Sequence, residues 1–211
     1  HLGPANFQSI SWWSAIAVIL SACATLWNYS LPKYFVFISL QAVHVFADAP
    51  FNPDHWLLLF FINTVIAMAA LDLWIREKHV REGQLFERFA PAARIVFLIC
   101  YGFAAFSKLN SHFLVADTSC ASHLAEIQLA VSPWLKGVAA PGLAGWLTVI
   151  IESSVPLLLL PRRSRKYGIL LGVVFHTMLV ISPAIAVFDF TMMIYTSLFL
   201  FVGNDAGDQL G

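Results

Sequence analysis

Seven ionisable side chains stand in or beside long apolar stretches of this 211-residue chain. Asp72, Lys108, Glu152 and His176 lie within them, and His44, His55 and Asp189 lie near their ends. A charged group at the centre of a bilayer costs about 3 kcal/mol or more, so a chain keeps one only for a reason. Lys108 closes the apolar run 94–109. It can snorkel to water, it can be paired, or it can do chemistry as a neutral amine. Phe103, Phe106 and Leu109 beside it predict apolar surroundings, which favour the neutral amine, a form able to act as a base.

Each of the other groups has a plain reading beside a functional one. Glu152 falls near the middle of its apolar run, too deep to snorkel. It is kept neutral, paired with His176 or Lys108, or forms a proton relay with His176 next to Pro156. Pro156 cannot donate to the carbonyl of Glu152 one turn earlier, which predicts a kink there. His176 reads as a core histidine bonded across helices or as part of a site. Asp72 precedes Arg76 by four residues, the spacing of an ordinary helical ion pair. His55 follows Asn52-Pro53-Asp54, a sequence that starts helices with Asn as cap and Pro in the first turn. By itself it reads as an interfacial histidine.

The elements that carry these groups are helices in a membrane. Hydrophobic residues make up 59% and charged residues 11%, where a soluble domain has roughly a quarter charged. Seven apolar segments, 12–31, 34–46, 56–75, 94–109, 142–160, 167–181 and 188–202, predict an all-α polytopic bundle of about seven membrane segments. The first, third and fifth are long enough to span, the second is short, and the last two need flanking residues. One transmembrane domain over 1–211 is expected. The chain opens on His1, so its natural start is expected upstream. Asp117-Thr118-Ser119 predicts a capped helix running to Val131 in the long loop between the fourth and fifth segments, on the membrane surface or folded over the bundle.

Positive charge orients the bundle. Arg76, Lys78, Arg81, Arg88 and Arg94 follow the third segment, and Arg162, Arg163, Arg165 and Lys166 follow the fifth. The positive-inside rule puts these loops in the cytoplasm and Lys108 at the outer end of its helix. Zero net charge gives nucleic acid no electrostatic foothold. The three cysteines form no CxxC pair or Cys/His metal spacing, and no metal is expected.

Taken in order, several pieces resemble the vitamin K-dependent gamma-carboxylase family and its bacterial relatives, the membrane domain called HTTM. They are Asn52-Pro53-Asp54-His55-Trp56 opening a helix, 101–110 ending in Ser107-Lys108-Leu109-Asn110, Glu152 four residues before Pro156, and Phe175-His176 followed by Phe188-Asp189-Phe190. The likeness covers about 52–201. Nine residues follow position 202, and a form of the family without its large extramembrane C-terminal region is expected. The resemblance implies a bacterial-type inner-membrane protein that uses a reduced lipid quinone, with carboxylase, lyase or oxidoreductase chemistry. It implies Lys108 as catalytic base and His55 as hydrogen-bond donor to a quinone oxygen or oxyanion, both facing one outer pocket. Glu152, His176, Asp189 and Phe106 are the expected substrate- or quinone-binding residues. A non-catalytic subunit docked to other membrane chains and a proton-coupled transporter are the competing readings. Membrane lipids are expected partners in every case.

The charge asymmetry makes a direct prediction. A cysteine replacing Ser164 should react with a membrane-impermeant maleimide only after the membrane is opened. Labelling of intact cells would reverse the orientation and put Lys108 on the cytoplasmic side.

Overall fold

The apolar runs become helices with few breaks. The computed structural model describes residues 4–48, 54–80, 82–131, 141–180 and 188–202. Among them are nine α-helices: α1 Pro4–Trp27, α2 Leu31–Asp48, α3 Asp54–Glu77, α4 Glu82–Ser107, α5 Ser111–Leu114, α6 Cys120–Val131, α7 Ala144–Leu159, α8 Arg165–Val180 and α9 Phe188–Leu198. The described residues contain no strand. Each of the seven apolar segments falls largely on one α-helix, from 11 residues in α9 to 26 in α4.

Two of the departures from the expected bounds concern α4 and α7. α4 begins twelve residues before the apolar run and carries Pro91 inside it; polar Glu, Gln and Arg residues are good helix formers, so the helix continues beyond the apolar stretch. α7 is only 16 residues long, ending before Pro161. Among the described residues, two helical stretches are long and apolar enough to cross a membrane, His55–Glu77 in α3 and Gly83–Ser107 in α4. Shorter apolar stretches occupy Trp12–Trp27, Leu31–Ala47, Ala144–Leu159 and Phe188–Phe201. Large apolar side chains such as Trp12, Trp13, Leu26 and Trp27 point outward. A soluble monomer rarely leaves so much apolar surface uncovered.

The chain forms two compact units, His1–Val96 and Phe97–Gly211, with the division inside α4. In the first, α2 packs against both α1 and α3. Ala69, Ala70, Leu73 and Leu85 form a buried cluster covered by Phe35, Ile66 and Phe89. A polar chain runs beside it: the Tyr34 hydroxyl donates to Asn63 Oδ1 (3.2 Å), and Asn63 Nδ2 donates to Gln41 Oε1 (2.6 Å). His44 is buried, with Nδ1 3.0 Å from Ser14 Oγ and its ring edge-on to Trp56. Asp72 makes the expected pair with Arg76 (2.7 Å) and a second one with Arg88 of α4 (2.7 Å), which ties the end of α3 to the start of α4. Both partners are well exposed, so solvent screens this clamp and it contributes little to stability.

In the second unit, α8 packs against α7 and α9. Small residues let the helices approach, as in membrane bundles. A Cβ at Gly172 would lie 3.2 Å from Leu198 of α9, and one at Gly168 would lie 3.0 Å from Leu159 of α7. The α7–α8 turn is closed by Arg165 Nε donating to Leu159 O (3.1 Å) and by Ser164 Oγ donating to Leu158 O (2.8 Å). Such bonds satisfy carbonyls that the end of α7 would otherwise leave open.

α5 and α6 form the expected helical part of the loop after α4. Asn110 caps α5, its Oδ1 accepting from Phe113 N–H (3.0 Å). α6 ends at Val131 as expected, but its cap differs: Ser119 Oγ is buried and has no hydrogen-bond partner among the described residues. Asn52 and Pro53, read as the start of α3, lie outside the described residues.

Gly145 at the start of α7 is more tightly enclosed than Gly102, Gly168 or Gly172. An added Cβ would stand 2.5 Å from the carbonyl oxygen of Phe113, a backbone atom. Gly145→Ala should therefore destabilise the protein by about 1–3 kcal/mol, as overpacking does. Gly102→Ala, where nothing lies within 4 Å, should be neutral or stabilise by up to about 1 kcal/mol. Melting temperatures of the two variants in detergent test this contrast.

Candidate functional site

Lys108 lies one residue past the end of α4. Its backbone N–H donates to Ala105 O (3.2 Å), so it continues the last turn. Its side chain turns back: Nζ donates to Ala104 O (3.4 Å) and to Glu152 Oε2 on α7 (2.5 Å). The cation thus joins the Ser107 hydroxyl (2.9 Å) on a carbonyl at a helix C-terminus, where positive charge is favourable. Glu152 is almost fully buried, its side chain 8% exposed, while that of Lys108 is 26% exposed.

This geometry corrects the expected setting of Lys108. The amine is not isolated among apolar side chains but is engaged by a carboxylate. Phe106 and Phe103 are each 69% exposed. The reason is helical phase: at 100° per residue, positions two and five before Lys108 point away from its face. Phe106 is also absent from the walls of the cavity described below. The aromatic ring near the ammonium is that of Phe113 in α5, its centroid 5.9 Å from Nζ.

Seven residues before Lys108, on the same side of α4, stands Tyr101. Its hydroxyl is 3.0 Å from Nε2 of His176 on α8. His176 is wholly buried. Phe175 and Phe190 each stand edge-on to it with centroids 5.1 Å away. Its Nδ1 finds no hydrogen-bond partner among the described residues. The carboxylate and imidazole are therefore held by different partners, Glu152 by Lys108 and His176 by Tyr101.

Lys108 and Glu152 both border a cavity of about 320 Å³ within the second unit. α6 supplies Cys120, Leu124 and Gln128 to it, α7 supplies Leu147 and Ile151, and Phe175 and Phe190 separate it from His176. Gln128 fastens α6 to α8 by donating to Met178 O (2.5 Å). Every other charge-free wall residue is apolar or weakly polar, so Lys108 and Glu152 are the charged groups of its lining. Chemically, the site is an apolar chamber with an ammonium and a carboxylate side by side.

The other two expected site residues are Asp189 and His55. Asp189 is exposed at the start of α9, its Oδ1 accepting from Phe190 N–H (2.9 Å). His55 lies in the first turn of α3, in the first unit, its ring 6.2 Å from that of Trp56. Tyr101, Cys120 and Gln128 were not singled out by sequence. Tyr101 had a usable signal, its seven-residue spacing from Lys108. Cys120 and Gln128 had none, since their role follows from how α6 folds back.

No family model matches the chain, and neither a curated protein nor a solved structure matches it.

The buried pair sets an expectation for mutation. Lys108→Met leaves the Glu152 carboxylate without its partner and should cost about 3–5 kcal/mol. Lys33→Met, which removes a half-buried lysine that donates only to a backbone carbonyl, Asn28 O (3.0 Å), should cost about 1 kcal/mol or less. Thermal unfolding of both variants beside the parent measures the difference; equal stabilities would mean that the pair is not formed.

Proposed function

We propose that this chain is a polytopic inner-membrane protein of about seven membrane segments whose second unit binds a lipid-soluble small molecule of the quinone class. The observation that carries the reading is the apolar cavity with Lys108 and Glu152 together in its wall. Pockets for small molecules are mostly apolar with a few polar groups that fix orientation. A volume of about 320 Å³ suits a ring-sized head. Membrane depth suits a substrate that reaches the protein through lipid.

The ordered resemblance to the vitamin K-dependent gamma-carboxylase family supports a quinone-linked carboxylase- or oxidoreductase-type activity. A reduced quinone would supply the oxygen-reactive centre of such chemistry. Of the residues on this chain, Lys108 and Glu152 would hold its polar end, with Phe113, Phe175 and Phe190 against its ring. Lys108 serves as a base only if its proton has somewhere to go. Glu152 Oε2 at 2.5 Å is placed to take it, leaving a neutral amine beside a neutral acid. The engaged lysine also favours the second reading, a non-catalytic membrane subunit in which the pair is interhelical glue.

A photoreactive naphthoquinone separates these readings. With purified protein in lipid nanodiscs, crosslinks should concentrate on the cavity face of α6 and on α7 near Ile151. Crosslinks scattered over the outward-facing residues of α1 and α3 would mark the compound as a membrane solute and favour the subunit reading.

A further inference from the structure

We infer that Glu152 sets the charge selectivity of the cavity: it is a built-in counter-ion that reserves the site for uncharged head groups and rejects anions. This inference rests on the ligand-binding reading of the same cavity and adds to it which ligands are admitted.

A lone ammonium in an apolar chamber would attract carboxylates, phenolates and other anions, because a charged hydrogen bond gains strength away from water. Membranes contain fatty acids and acidic lipids in quantity. Glu152 Oε2 already occupies Lys108 at 2.5 Å, so an anion must displace a buried carboxylate or face its charge. Wherever the shared proton resides, the pair carries no net charge. It still offers polar contacts. Of the three ammonium hydrogens, one goes to Glu152 and one to Ala104 O. Among the described residues, Glu152 Oε1 accepts no hydrogen bond. One donor and one acceptor remain, the complement of a neutral carbonyl or hydroxyl head. The apolar walls then take a ring or alkyl body.

Cys120 lines the cavity and is exposed, so occupancy can be read as slowed reaction of its thiol with a maleimide. The protein would carry Cys23→Ser and Cys100→Ala and be held in nanodiscs. Two matched pairs of probes serve, compared at equal membrane-bound concentration. One is a naphthoquinone with both free quinone-ring positions methylated, which prevents thiol addition, against its hydroxyl-substituted, ionised counterpart. The other is decanol against decanoate.

The neutral member of each pair should half-protect Cys120 at a concentration at least about tenfold below that of the anion. In Glu152→Gln, which keeps the size of the side chain and frees the ammonium charge, the order should invert. In Lys108→Met with Glu152→Gln, the anion should gain nothing. Equal protection by both members in the unmodified site, or preference for the anion, overturns the inference without recourse to any variant. A folded Glu152→Gln protein that keeps the original order overturns it as well. If decanol and decanoate follow the rule while neither naphthoquinone protects, charge selectivity stands and the quinone reading falls. If no probe protects Cys120, both fall.

Discussion

A carboxylate buried in the middle of an apolar helix has to be satisfied, and this requirement organises the second unit. Glu152 is almost fully buried in its place on α7. Its partner must come from another helix, and Lys108 arrives from the end of α4. The pairing fixes the rotation of α4 about its axis. The face that carries Lys108 also carries Tyr101, which meets His176 on α8, and Phe97, which packs against Phe201 after α9. One polar contact thus sets which side of α4 faces α7, α8 and the chain beyond α9.

The first unit uses uncharged groups for the same purpose. Tyr34, Asn63 and Gln41 link α2 to α3 by side-chain hydrogen bonds. Interhelical bonds of this kind contribute roughly 0.6 kcal/mol each in membrane proteins, with some reaching more. Their main effect is on register, because a one-residue shift would leave several buried polar groups unmatched. The charged pair between α4 and α7 differs in being open to a cavity. It can serve both packing and recognition, whereas the Tyr34–Asn63–Gln41 chain reads as packing.

Much of the helical layout was legible because hydropathy acts locally. Seven apolar runs gave seven helices, and the four-residue spacing of Asp72 and Arg76 gave an ion pair. The site was legible only as a set of residues. Lys108, Glu152 and His176 stood out as ionisable groups in apolar sequence, yet their partners did not. Glu152 had two possible partners, and chain order cannot choose between them, since the choice depends on how helices rotate against each other. Reading Phe103 and Phe106 as the surroundings of Lys108 treated neighbours in sequence as neighbours in space. On a helix they lie on other faces, and residues four and seven away, Ala104 and Tyr101, are the ones that share the face of Lys108. Gln41 and Asn63 escaped notice because an amide in an apolar run carries a weaker signal than a charge. The cavity was illegible because α6 forms part of its wall, and the fold-back of a loop helix leaves no periodic trace.

The energetic coupling between Lys108 and Glu152 is the most direct test of this account. It is measured by a double-mutant cycle of Lys108→Met, Glu152→Gln and the two together, followed by reversible unfolding in detergent. A buried pair predicts strong non-additivity, with the double variant more stable than Lys108→Met alone and a coupling of at least about 2 kcal/mol. Additivity within about 0.5 kcal/mol would mean that the two side chains do not interact, and would contradict both the arrangement of the second unit and the site built upon it.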